Sequence, residues 1–449
     1  MIKVAKFGGS SVANAKQFRK IKKIIEADAG RRFIVSSACG KSDREDHKVT
    51  DLLYLCHAHE QYGVPCDHLW ALLTQKYLGI RDELGLTVDV EGQIARIRAE
   101  VSDGASVDYL VSRGEYLTSL CLAEFLDADF IDAAEVISFD YSGQVDMEQT
   151  SRLLKARLNP GKRAVIPGFY GSMPGGLIKI MSRGGSDITG SIVANVVDAD
   201  VYENWTDVPG ILVADPRIVD NPPRVERLTY LELRELSYMG ANVLHDEAIF
   251  PIHEKDIPIN IRSTNEPDNP GTMIVRDCSA EDKKNPPHYI TGISGRKDFS
   301  AITCMRSHMS TEVGVMSQAL AIFEKFKVSI EAVPAGVDTF TVIAPSNALE
   351  GKIHEIVAEL HKLNFDSVRV EDKIAMLAIV GRGMRQRHGI SGAFFAELGM
   401  AGINIRTISQ TVDELDIIIG IDNRDYEEAI RRIYNKFILT EKERHAASS

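Results

Sequence analysis

Residues 1–12 read MIKVAKFGGSSV, and the way this stretch passes from an apolar run into Gly-Gly-Ser-Ser decides how the rest is parsed. Residues 2–7 have the length and composition of a buried strand. Two glycines then bare the backbone, and a helical pattern follows from about 15 to 27. Working outward, RFIVS at 32–36 is a second strand that ends in small residues and Gly40. Residues 51–101 are mostly helical, with Leu52, Leu53, Leu55, Leu69, Leu72 and Leu73 recurring near the helical period. Further strands are expected at 130–132, 163–167, 199–205 and 258–262. Short apolar runs alternating with helices predict an α/β fold, a mostly parallel sheet sandwiched by helices.

The rhythm changes beyond a stretch at 267–287 rich in Pro, Asn, Gly and charge. GVMSQALAIFEKFKVSIEAV from Gly314 and GISGAFFAELGMAGINIRTI from Gly389 are two copies of one pattern, 75 residues apart. The same offset pairs Val328 with Ile403, Ile330 with Ile405, Asp338 with Asp413, and HEIVAEL at His354 with AIRRIYN at Ala429. Each copy reads turn, helix, strand, strand, helix, and a flanking strand completes a small βαββαβ unit. The expected organisation is therefore a large α/β domain at 1–287, repeats at 288–372 and 373–440, and a polar tail at 441–449.

Composition excludes several classes. The chain has 449 residues, three times the roughly 150 of an average domain, so two to four domains are expected. Its net charge of -12 (52 basic, 64 acidic residues) is wrong for a protein that coats nucleic acid. With 44% hydrophobic and 26% charged residues it is an ordinary globular chain. No apolar run is long enough to span a membrane, and the start lacks the pattern of a secretory signal. Six scattered cysteines without a C-x-x-C pair fit a reducing cytoplasm and no zinc module. No resident metal site is expected.

Four glycine-bearing segments carry reactive side chains where strands should hand over to loops. In KFGGSSV, Gly8 and Gly9 let amides approach an anion, and Lys6 suits phosphate oxygens; a plain tight turn with a solvated lysine is the competing reading. In MSRGGSDITG, Arg183 is a bidentate donor for a carboxylate, whereas Ser186 or Asp187 can be merely a helix cap. In NWTDVPGILVADPRIV, Thr206 and Asp207 follow a strand and Asp215-Pro216-Arg217 ends another; a hairpin turning at Pro209-Gly210 explains that spacing without any function. In VSRGEYLTS, Arg113, Gly114 and Glu115 precede a helix, where an acidic residue needs no further role. Neither a P-loop nor G-x-G-x-x-G is present.

Taken together and in this order, the segments resemble the amino-acid kinase superfamily and, within it, the aspartate kinases (aspartokinases). KFGGSSV, RGGSD, WTDVPG with DPR, and a duplicated end that looks like tandem ACT domains match that family along nearly the whole chain. The resemblance implies ATP with Mg2+ as phosphoryl donor and L-aspartate as acceptor. It makes Lys6 and Asp187 catalytic, places Lys6, Gly8, Gly9, Ser10, Thr206, Asp207 and Arg217 at the nucleotide, and assigns Ser36, Thr50, Glu115 and Arg183 to aspartate. It also implies feedback control, lysine first and threonine second, through Met309, Val315, Met316, Ile330 and Glu331, although Val315, Met316 and Ile330 taken singly read more readily as core. A homodimer or homotetramer through the ACT domains, no nucleic acid and no membrane complete the expectation. The usual GAKVLHP of the family stands here as GANVLHDEA, with Asn242 and Asp246 departing, and Leu212 stands where some relatives carry tyrosine. Two alternatives stay open: a kinase of another amino-acid carboxylate such as glutamate, and an inactive amino-acid sensor.

Overall fold

The structure is a computed structural model that describes residues 1–159, 161–182, 184–240, 244, 246–277, 290–384, 388–410 and 415–439. The chain divides into two compact units. The first comprises Met1–Ile211, Glu226–Tyr230 and Val243–Asp277; the second comprises Leu212–Val225, Leu231–Asn242 and Cys278–Ser449. Among the described residues no helix is long and apolar enough to cross a membrane.

In the first unit, β1 (Lys3–Phe7), α1 (Ala15–Glu26) and β2 (Arg31–Ser36) form the opening βαβ unit. Asn14 caps α1 by accepting from the Gln17 amide at 3.1 Å, and Phe18, Ile21, Ile24 and Ile25 form its buried stripe. Four helices follow: α2 (Val49–Gln61), α3 (Asp67–Leu84), α4 (Val90–Ser102) and α5 (Val107–Phe125). Next come β3 (Asp129–Phe130), the short α6 (Ala133–Val136), α7 (Met147–Arg157), β4 (Ala164–Pro167), a hairpin β5 (Tyr170–Ser172) and β6 (Ile178–Ile180), α8 (Gly185–Val196) and β7 (Val201–Thr206). The remainder is β8 (Arg227–Thr229), the start of α9 (Tyr230–Tyr238), a short α10 (Phe250–His253), β9 (Ile259–Ser263) and β10 (Thr272–Val275). The large sheet has the order β3-β4-β2-β1-β7-β9-β10-β8. It is parallel from β3 to β9, and only the β9–β10 pairing is antiparallel.

Register decides where the site can be. Phe7 lies beside Ser36 on one side and Trp205 on the other, Ser36 beside Pro167, and Thr206 beside Ser263. The carboxyl ends of β1, β2, β4, β7 and β9 therefore form one edge. The chain runs outward from β1 in both directions, the switch point where open α/β sheets place ligands.

The second unit is built on a five-stranded sheet of order β12-β11-β13-β15-β14, from β11 (Gly292–Met305), β12 (Thr339–Pro345), β13 (Ser367–Val380), β14 (Thr407–Ser409) and β15 (Asp416–Asp422). Its helices are α11 (Val315–Lys325), α12 (Ser346–Leu349), α13 (Ile353–His361), α14 (Ile390–Met400) and α15 (Tyr426–Ile433). The duplication is visible residue for residue. Gly314 and Gly389 both sit in the left-handed region (φ 88° and 80°) ahead of helices of 11 residues. Only glycine adopts that geometry without strain.

The copies interleave. Residues 292–296 of β11 pair with 376–380 of β13, inside the second copy, whereas 299–305 pair with β12 and with 367–374. The first copy is thus threaded into the second, and the span 288–372 opens with a strand whose partner is in the other copy. A boundary at 372/373 falls within the continuous strand β13.

Three local expectations differ. Residues 113–115 lie in the middle of α5, which begins at the Ser106 cap, because Gly114 serves close packing and not a break. No strand or hairpin forms over 211–219; Leu212 makes only an isolated bridge to Arg224. The strand expected near Val328 and Ile330 is reduced to isolated bridges at Ala332 and Ala335, since Pro334 between them has no amide to donate, and its counterpart in the second copy starts at Thr407. Asp413, Asn242 and the tail at 441–449 lie outside the described residues, and Asp246 is described in its backbone alone.

Candidate active site

Two glycine turns meet at the carboxyl end of β1. Lys6 is paired in register with Asn204 of β7, and neighbours so paired present their side chains on the same face of the sheet. Asp187 stands in the first turn of α8, whose entry is made by Gly184 at φ 78°. Gly185 is required by space: an added Cβ would lie 2.7 Å from the Phe169 ring and 2.8 Å from the Met181 Cβ. These constraints bring Lys6 Nζ to 2.5 Å from Asp187 Oδ1, and Asn204 Nδ2 donates to that same oxygen at 2.9 Å. Lys6 and Asn204 are buried. The two other N–H bonds of Lys6 meet no acceptor among the described residues.

The first turn is held from three sides. Gly8 donates its amide to Trp205 O (3.0 Å), and a Cβ there would sit 3.6 Å from Lys6 Nζ. Gly40 donates to Gly9 O at 2.8 Å, so close that a Cβ on Gly40 would lie 2.6 Å from the Gly9 carbonyl carbon. Thr264 Oγ1 donates to Ser11 Oγ (2.7 Å), tying the turn to the chain leaving β9. Ser10 completes the turn, and its hydroxyl has no partner among the described residues.

On the other side of β1, α5 packs against residues 38–49. A Cβ on Gly114 would lie 2.8 Å from the Ala38 Cβ and 3.0 Å from Val49 Cγ1. That close approach buries Glu115, whose Oε2 has no hydrogen-bond partner. Burial pushes the Glu115 carboxyl up to about 8, against the pull of the Ala38 amide and the charges of Arg113 and Lys6. Ser36 Oγ and Ser119 Oγ lie 2.7 Å apart beside it, and Thr50 is the second residue of α2. Thr206 closes β7, donating to Asp207 Oδ1 at 3.2 Å, and Asp207 is exposed.

Two expected residues are not placed in this cluster. Arg217 belongs to the second unit, pairs with Asp215 at 2.6 Å and is 87% exposed in its side chain. Arg183 lies outside the described residues. Two others belong beside the cluster without having been singled out: Asn204 and Ser119. Nothing in VYENWT marks the first in sequence, since it stands beside another polar residue, Glu203. Among the described residues no three His, Cys, Asp or Glu converge as a metal cage.

In the second unit, Met309, Val315 and Val328 are core of the first repeat, and Met316 and Ile330 pack against it. Glu331 accepts from Tyr238 at 3.2 Å, and its other oxygen, Oε1, is buried without a partner. Burial raises its carboxyl above the usual range.

The family model for the amino acid kinase family matches residues 1–263, and one for an ACT domain matches 377–437. Aspartokinase 3 of Bacillus subtilis is 32% identical over 97% of this chain and 98% of its own length. The crystal structure of Clostridium acetobutylicum aspartate kinase superposes with a TM-score of 0.90 at 45% identity, covering 97% of this chain and 100% of that one. The chain belongs to the aspartokinase family. It is accordingly an aspartokinase-type enzyme, an ATP-dependent phosphotransferase whose acceptor is a carboxyl group. Lysine-sensitive aspartokinase 3 of Escherichia coli is a more distant relative, 26% identical over 97% of this chain and 98% of its own length. The ACT match at 377–437 covers residues 377–380 of β13, whose partners at 292–295 come from upstream of the first repeat.

Proposed function

We propose that this chain moves the γ-phosphoryl group of ATP onto the side-chain carboxylate of L-aspartate, giving ADP and 4-phospho-L-aspartate, at the head of lysine, threonine and methionine synthesis. The observation that carries it is the buried Lys6 held 2.5 Å from Asp187 beside a bare glycine turn, with two N–H bonds that meet no acceptor among the described residues. The acceptor carboxylate is ionised at neutral pH, so no general base is needed. Gly8, Gly9 and Ser10 offer amides and a hydroxyl to the phosphates, and Lys6 faces the oxygens of the group in transfer. Thr206 and Asp207 line the nucleotide, while Ser36, Thr50 and Arg183 receive aspartate and Glu115 takes its ammonium. Among the described residues Asp187 is the carboxylate paired with Lys6 and no cage of three ligands forms, which fits Mg2+ arriving on the nucleotide phosphates and neutralising their charge.

Incubation with Mg-ATP and hydroxylamine should yield aspartyl hydroxamate from aspartate and little product from glutamate or N-acetylglutamate. Faster turnover of glutamate would move the assignment to the other acceptor, and no product from any of them would leave only the sensor reading. Gly40→Ala should raise the KM for ATP about tenfold or more, because the added methyl must push the Gly9 turn off its position. An unchanged KM would remove that turn from the nucleotide site.

The same proposal makes lysine the feedback ligand, bound beside Met309, Val315, Met316, Ile330 and Glu331. The name of the Escherichia coli relative and the unpartnered Glu331 oxygen, fit for an ammonium, support it. At concentrations well above its Kd, lysine should raise the melting temperature by a few degrees, and threonine and methionine less. A shift with threonine alone would reassign the effector. Assembly through the ACT domains into a dimer or tetramer in the cytoplasm belongs to the same reading.

A further inference from the structure

Lys6 can serve a phosphoryl group only if its ammonium is not wholly engaged by Asp187. A lysine and a freely rotating aspartate in a buried site settle into the tightest pairing available, which would draw the ammonium toward both carboxylate oxygens. The observed arrangement is more restrained. The closest approach of Lys6 to Asp187 is at Oδ1, and that same Oδ1 is fixed by the amide of Asn204 at 2.9 Å. Asn204 is itself immobile, set in the middle of β7 between Glu203 and Trp205, which are both buried, and in register with Lys6. Its remaining oxygen, Oδ1, is buried with no donor opposite it. A buried unpartnered amide oxygen is costly, and a strand position of this kind is better filled by an apolar side chain unless the amide has a task.

We propose that Asn204 is a positioning residue for phosphoryl transfer: its amide clamps Asp187 so that Lys6 is held by one carboxylate oxygen and keeps two N–H bonds for the group in flight. This rests on reading Lys6 and Asp187 as the transfer pair. Asn204 touches neither substrate in the argument; it acts through Asp187. Removing the amide frees the carboxylate to turn and engage the ammonium more fully, which harms the transition state while leaving the ground-state contacts of ATP and aspartate in place.

The test is steady-state kinetics on the full chain. Asn204→Leu, of similar size, should lower kcat about 10- to 100-fold, with both KM values within about threefold of the parent. Asn204→Asp keeps shape and packing and replaces the donor by a second acceptor beside Lys6; it should lose kcat at least as much, which guards against a folding failure of the leucine variant. In an Asp187→Ala background, Asn204→Leu should cost no more than about threefold further, since the residue acts through the one already removed. A parent-like kcat in both single variants, a change confined to KM, or a full loss retained in the Asp187→Ala background would each overturn the proposal. If Lys6→Ala and Asp187→Ala themselves turn over at the parent rate, the site reading has failed, a result separate from any of these.

Discussion

Lys6→Ala should abolish practical turnover, lowering kcat by about 1,000-fold or more, with lysine-induced thermal stabilisation intact. The expected size follows from what the ammonium does. It is buried, so its charge acts in a medium that screens far less than water, and in the proposed transfer it faces oxygens that gather charge in the transition state. Removing one preorganised donor from such a place costs about 100- to 1,000-fold, and here the donor is also a full charge. The substitution also leaves Asp187 without its cation, so an uncompensated carboxylate remains beside the phosphates and adds repulsion. Lys6→Arg should not rescue, since the guanidinium cannot enter the space bounded by Gly8 and Asp187. Retention of more than a tenth of the parent kcat in Lys6→Ala would remove the lysine from the chemistry. Loss of the lysine-dependent melting shift as well would mean that the variant had misfolded.

Glu115→Gln should weaken aspartate binding about 100-fold, and it should erase a proton release that accompanies binding in the parent. With its carboxyl pushed up to about 8 by burial, Glu115 is mostly protonated at neutral pH before substrate arrives. An ammonium placed against it favours the carboxylate, so the proton leaves as aspartate binds. Affinity should therefore rise with pH up to about 8, by at most about tenfold per unit. Calorimetry in buffers of different ionisation enthalpy measures the protons released, close to one near pH 7 in the parent and none in the variant. Zero protons in the parent, or equal affinities, would take Glu115 away from the ammonium.

Stability gives an independent reading of the same group. The folded value lies above the ordinary glutamate value of 4.5, so the group's contribution is fully present below that value. It is lost as pH rises from there through about 8, because only the folded chain still holds the proton over that range. Glu115→Gln should therefore gain stability relative to the parent as pH climbs from about 5 to 8 in the absence of ligands.

Most of the frame was legible in the chain. The strand-turn-helix signals at 2–27, the strand ending at Ser36, and the helix opened by Gly184-Gly185 sit within a residue or two of where pattern and glycine chemistry put them. The 75-residue repeat survives as two helices with matching left-handed glycine starts. Where reading failed, the cause was a residue used against its usual habit. Gly114 lies inside a helix to admit Ala38 and Val49, and so Arg113 to Glu115 are helical and not a loop before a helix. The stretch after Pro209 makes no hairpin, because Ile211 instead donates to Thr272 Oγ1 and Leu212 bridges to Arg224.

Local chemistry alone marked the candidates: a lysine at a strand end, glycines that expose amides, and a carboxylate at a helix start are properties of neighbours in sequence. Which of them meet was decided by tertiary structure. Lys6 and Asp187 are separated by 181 positions and joined only because β1 and α8 converge at one sheet edge. Asn204 carries no motif that marks it, and only the register of β7 against β1 sets its amide on Asp187. The threading of one repeat through the other was likewise invisible, since periodicity reports the face a strand shows and not the strand it pairs with.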